Sequence, residues 1–199
     1  MDGLNIDTGK AIGYGWASVK KDFWYFVGIT LVVIVISSLG QDRDGPSQWS
    51  LLSFLLSGWM ACGYWTLFLS YHSGKKLPFS ALFTQFTHYI RFLVASLLLG
   101  VIFAVGFALL IIPGFYFALR YQFTLLLILD KNLGITDAMK QSALLTKRKI
   151  LSLLGFDIVS LGVVILGAMA LGVGILVAVP VVWLANVFVY RSLSAPAAK

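Results

Sequence analysis

The sequence predicts an all-α, polytopic membrane protein: six transmembrane helices in three helical hairpins, each preceded by a short amphipathic interfacial helix. Three observations predict it. Of 199 residues, 59% are hydrophobic and 12% are charged, whereas soluble domains are about 45–50% apolar and about 25% charged. So few charges cannot cover a water-soluble chain of this size. A soluble globular domain, a disordered tail and a secreted disulfide scaffold are thereby excluded. Apolar runs long enough to cross a bilayer core of about 30 Å recur along the chain. Basic residues gather between alternate runs.

The elements follow in order. Met1 to Lys21 is polar and Gly-rich. It lacks a basic n-region, an apolar h-region and a cleavage site, so no signal peptide is expected and the first apolar segment acts as an uncleaved anchor. Within it, Asp7 to Lys21 places Ile12, Trp16 and Val19 on one helical face, with Thr8 as cap. The first span covers 23–39 and ends at the polar turn Gln41-Asp42-Arg43-Asp44-Gly45-Pro46. The second covers 49–71 and ends at His72-Ser73-Gly74-Lys75-Lys76.

Pro78 to His88 places Phe79, Leu82, Phe83 and Phe86 together, with Pro at an early helical position. Tyr89 to Leu129 is apolar apart from Arg91, Arg120 and Gln122 and is too long for one crossing. Pro113-Gly114 is the expected hairpin turn, giving spans 90–111 and 115–130. Thr136 to Arg148 groups Ala138, Met139, Ser142, Ala143 and Leu145, with Thr136 as N-cap. Ile150 to Leu193 again exceeds one span. Gly172-Val173-Gly174 divides it into 150–171 and 175–192, and Pro180 should kink the last helix.

Orientation follows from charge. With both termini inside, thirteen of the fifteen Lys and Arg residues are cytoplasmic, Arg120 is in a span and Arg43 alone is outside. That asymmetry is the mark of a cytoplasmic face. It also makes the net charge of +7 a membrane signal and not a nucleic-acid one. Trp24, Tyr25, Trp49, Tyr71, Tyr89 and Tyr190 sit near span ends as interfacial belts do. The single cysteine, Cys62, can form no internal disulfide.

The chain reads as one transmembrane domain, 1–199, with a threefold internal repeat over 7–72, 78–130 and 136–194. Each unit has an amphipathic stretch leading into a hairpin. An even number of spans per unit inserts all three the same way up, unlike inverted-repeat transporters. Lys20, Lys21, Lys75, Lys76, Arg91, Lys147, Arg148 and Lys149 are placed to touch anionic lipid headgroups. Three short helical loops would be the plainer account of the same spacing.

The second half carries Pro113-Gly114, Arg120-Tyr121, Leu129-Asp130, Ala138, Ser142, Phe156-Asp157-Ile158, Gly162, a Gly-Val-Gly turn, Pro180 and Tyr190. In these motifs residues 110–192 resemble the YciC-like membrane proteins and the membrane domain attached to some glycerophosphoryl diester phosphodiesterases. The resemblance implies a bacterial inner-membrane protein with about six spans and no settled biochemical activity. The phosphodiesterase catalytic domain is a separate region, for which this chain has no room.

Asp157 lies about 10 Å into the fifth span at helical rise. An intramembrane carboxylate suggests proton or cation handling. The bland alternative is a structural Asp bonded to Ser152, Ser160 or Asn186, or one kept wet near the cytoplasmic face. Arg120 lies toward the outer side. A direct pair with Asp157 would lower the cost of both charges, but the level difference of about 10–15 Å opposes it. Snorkelling, binding turn carbonyls and meeting a lipid phosphate are the alternatives. Gln122 completes the intramembrane polar set.

His72 and His88 stand without clustered acids or cysteines, so no metal site is expected. No cofactor is expected, and no phosphate loop or zinc-protease motif occurs. Ala168/Gly172 and Ala170/Gly174 match small-x-x-x-small, for internal packing or a homo-oligomer contact. Three readings follow. A scaffold or accessory subunit, with lipids and another membrane protein as partners, predicts dispersed polar residues. A transporter or channel for an ion or small amphiphile predicts Arg120, Gln122, Asp157 and Asn186 around one hydrated cavity. An intramembrane enzyme needs a nucleophile–base cluster that the sequence does not offer.

Overall fold

A computed structural model describes residues 6–38, 48–82, 86–170 and 174–194. Every regular element among them is helical. They are α1 (Thr8–Lys21), α2 (Phe23–Ser38), α3 (Gln48–His72), α4 (Phe86–Leu109), α5 (Ile111–Tyr121), α6 (Thr124–Lys131), α7 (Ile135–Thr146), α8 (Ile150–Met169) and α9 (Ile175–Ser194). A short 3-10 helix, Phe79–Leu82, lies between α3 and α4.

Among the described residues, four stretches are long and apolar enough to cross a membrane: Tyr89–Leu109, Ile112–Lys131, Ile150–Met169 and Ile175–Ser194. Phe23–Ile36 is a shorter apolar helix. Their outer faces are apolar, with Ile112, Leu151 and Met169 each more than 70% exposed. Water would penalise such a surface, and hydrocarbon does not. The molecule is a helical protein with the exterior of a membrane protein.

The core is aromatic and aliphatic. Phe26, Ile29, Met60, Leu67, Phe68, Leu126, Leu127, Phe156 and Tyr190 are almost fully buried. Phe26 stacks on Phe68 with ring centroids 5.6 Å apart, and Trp65 meets Trp183 edge-on at 3.8 Å. A buried hydroxyl pair near this core, Thr30 with Tyr64 3.1 Å apart, ties α2 to α3.

The amphipathic stretches depart from expectation. Asp7, not Thr8, caps α1: its carboxylate accepts the Lys10 amide at 3.0 Å. The buried face is Ala11, Gly15, Ser18 and Val19, while Trp16 is 56% exposed. Small residues turn inward because α1 packs on backbone. A β-carbon at Gly15 would overlap the Val181 carbonyl of α9.

Nor does α1 lie flat across the basic helix ends. Ile12 and Trp16 meet Gly167, Gly174 and Val177 around a 470 Å³ apolar cavity. Tyr14 stacks on Phe188 at 5.2 Å. The helix therefore runs along α9 from near its first turn to near its last.

In the second stretch, the 3-10 helix lies against α3, where a β-carbon at Gly63 would overlap Leu82 backbone. Phe83 falls outside the described residues. In the third, Gly134 occupies the N-cap position of α7 and no side chain caps it, so Thr136 is not the cap. Its buried face, Ala138, Ser142, Ala143 and Thr146, packs on α5 and α6.

Two turns also move. The chain reverses at Leu110 (φ −164°, ψ 147°), and Pro113 sits inside the first turn of α5. Its missing N–H costs nothing there, because first-turn amides have no helical partner. Gly114 instead lets α5 approach the Phe107 ring. The expected single span 115–130 is interrupted at Gln122–Phe123, between α5 and α6. The interruption leaves carbonyls at the end of α5 without helical partners. Ser142 and Thr146 of α7 both donate to the Arg120 carbonyl, at 3.0 and 3.1 Å.

Between α8 and α9, residues 171–173 of the expected turn lie outside the described residues. Among the described residues, Gly167 closely approaches Gly174 and Ala178, and the pair Ala168/Gly172 lies partly outside them. Pro180 is accommodated within α9.

Candidate functional site

Polar side chains gather in three places. The first ties the ends of α6, α9 and α3 together. Asp130 accepts from Arg191 at 2.7 Å and from Tyr190 at 2.8 Å, and Arg191 reaches the Ser73 hydroxyl at 3.3 Å. The Asp130 side chain is 13% exposed. Three helix ends thus share one charge-assisted network at the basic face. Sequence reasoning placed Asp130, Arg191 and Tyr190 at span ends but did not join them.

The second joins the α1–α2 corner to α3. Asp22 accepts from Tyr71 at 2.6 Å and pairs with Lys76. Tyr25 donates to the Leu77 carbonyl at 2.7 Å, and Tyr14 meets His72 at 3.0 Å. A 360 Å³ cavity beside them is lined by Tyr14, Ser18, Lys21, Tyr71 and Lys76. Of the expected headgroup contacts, Lys76 is committed to Asp22 and Lys21 faces this cavity. Arg91 donates to the Asn132 side chain at 2.8 Å, which binds the start of α4 to the turn after α6. Asn132 itself adopts the left-handed conformation (φ 51°) that a short polar residue tolerates.

Lys76, then Tyr71, hold the Asp22 carboxyl below its ordinary value of 3.8 by hydrogen bonding to the charged form. A depressed folded-state pKa gives stability that is full above the unfolded value and lost as pH falls through the folded one. Wild type should therefore have a higher unfolding midpoint than Asp22→Asn at pH 6. That gap should close as the pH is lowered below about 4. A gap of constant size across that range would refute the assignment.

The third place lies between α5 and α7. Arg120 and Tyr121 face Thr136, Met139 and Lys140 across a cavity of 530 Å³. The Arg120 guanidinium donates to the Tyr116 hydroxyl at 2.7 Å and lies 5.6 Å from the centre of that ring. No carboxylate lines this cavity.

The expected intramembrane polar set is not brought together. Arg120 and Asp157 form no ion pair. Gln122, Asp157 and Asn186 do not line the Arg120 cavity. Asp157 is half-buried and hydrogen-bonds to none of Ser152, Ser160 and Asn186. The Ser160 hydroxyl and the Gln122 amide nitrogen are buried without a partner among the described residues. No group of three or more His, Cys, Asp or Glu suited to a metal occurs among the described residues. This chain matches no protein-family profile, no curated protein and no solved structure.

Proposed function

We propose that this chain is a six-span inner-membrane scaffold or accessory subunit, not a conduit for ions. The observation that carries this reading is that Gln122, Asp157 and Asn186 do not line the cavity that Arg120 faces, whereas a hydrated pathway would gather them. The charged residues with protein partners instead fasten helix ends: Asp130 with Arg191, and Asp22 with Lys76.

A threefold repeat of like-oriented units belongs to the same proposal. Its support is a cyclic pattern of contacts. The stretch before each pair of long helices packs on the last long segment of another unit: α1 on α9, the 3-10 helix on α3, and α7 on α5 and α6. Two of these contacts press backbone to backbone, at Gly15 and Gly63.

The orientation proposed puts the basic ends of the helices, with the C-terminus, in the cytoplasm. An impermeant thiol reagent applied from outside should label Asp44→Cys and leave Lys75→Cys and Lys140→Cys unlabelled. External labelling at Lys75→Cys would reverse the orientation. Reconstituted in liposomes under proton and cation gradients, the wild-type protein should give no flux above that of empty vesicles. A flux that Asp157→Asn abolishes would replace the scaffold reading with a transporter.

A further inference from the structure

The cavity between α5 and α7 has the composition of a headgroup site. Two cationic side chains from separate helices, Arg120 and Lys140, line it without a carboxylate. Asp137 is on α7 too, but exposed and not part of the lining. Arg120 belongs to Ile112–Lys131, a stretch long and apolar enough to span the bilayer. A permanent cation at such a position needs an anion or polar partner, and Arg120 contacts a neutral phenol and its ring. Thr136, a hydroxyl residue, lines the same wall.

From this pair of cations we infer that the cavity holds the phosphodiester of an anionic phospholipid, with Arg120 and Lys140 clamping its oxygens. The apolar surroundings select a lipid over a free phosphate. Leu144, on the cavity wall, is 71% exposed. One and two turns before Arg120 on the same side of α5, Tyr116 is 40% and Ile112 82% exposed. An acyl chain laid along Tyr116 and Ile112 would cover this strip while the phosphate stays at Arg120. The inference presupposes only that α5 lies in the bilayer, and holds whether or not the protein is a scaffold.

The test uses the full chain in neutral detergent micelles, titrated with phosphatidylglycerol or phosphatidylcholine and read by native mass spectrometry. Phosphatidylglycerol should bind in preference to phosphatidylcholine. Arg120→Gln and Lys140→Gln should each weaken it on the order of tenfold, the loss of one charge-assisted contact. Lys140→Arg should restore binding, and Lys10→Gln, at an exposed pair with Asp7, should leave it unchanged. Lys140 is exposed, so its variants keep the test open if Arg120→Gln fails to fold. Equal binding of the two lipids, or wild-type binding by Lys140→Gln, would overturn the site. Displacement of the lipid by inorganic phosphate at millimolar concentration would overturn the lipid assignment.

Discussion

Gly15→Leu should be among the most damaging single substitutions in this protein, lowering unfolding stability by about 3 kcal/mol. The new side chain would meet not another side chain but the Val181 carbonyl, and backbone inside α9 cannot rotate away. Ala11, Ser18 and Val19 would lose their contact with α9 together, because one rigid helix carries all of them. Gly13 supplies the control. Two residues away on the same helix, its β-carbon position meets nothing within 4 Å. Gly13→Ala should therefore stabilise the protein by about 0.5–1 kcal/mol through reduced chain entropy. Thermal unfolding in micelles, followed by tryptophan fluorescence, measures both. If the two variants behave alike, α1 is not docked on α9.

Asp130→Ala should cost a similar amount, about 3 kcal/mol, by leaving the Arg191 guanidinium at a largely enclosed helix end without its counter-charge. The buried Arg191 Nε already lacks a partner, so the side chain has little reserve. Asp130→Asn keeps an acceptor for the Tyr190 hydroxyl and should cost less, about 1–2 kcal/mol. A double-mutant cycle with Arg191→Gln isolates the pair. A coupling energy near zero would mean that Asp130 and Arg191 act as separate, solvated surface charges.

The legible and illegible parts of this molecule divide along a physical line. Where a helix boundary depends on composition alone, the sequence reading and the structure agree closely: 23–39 against Phe23–Ser38, 49–71 against Gln48–His72, and 150–171 against Ile150–Met169. Apolar length is a property of one segment, and it can be read from that segment. Where the answer depends on a neighbour, the reading failed. Periodicity groups Ile12, Trp16 and Val19 on one face of α1; Val19 is buried there, but Trp16 is 56% exposed. The neighbour is backbone, so Ala11 and Gly15 face it instead.

The interruption at Gln122–Phe123 was missed for the same reason. Its freed carbonyl is satisfied by Ser142 and Thr146, two hydroxyls that look ordinary in their own helix. The network around Asp130 had a faint signal. Asp130 and Arg191 each sit in or beside the last turn of a long helix with no local partner of opposite charge. Periodicity gives the depth of such residues but not which helix ends meet.

The contact of α1 with α9 also bears on the order in which the protein can be completed. Ribosomes deliver Ala11 and Gly15 long before Val181 exists. During synthesis the first helix lacks its main docking surface, and its small-residue inward face waits unpaired while the later helices are made. The main surface on which α1 packs comes from α9. A nascent chain stopped before α9 should therefore hold its earlier helices yet leave α1 open to protease, and emergence of α9 should protect both helices at once. Assembly is in that sense a clasp, closed when α1 meets α9 after the helices between them are in place.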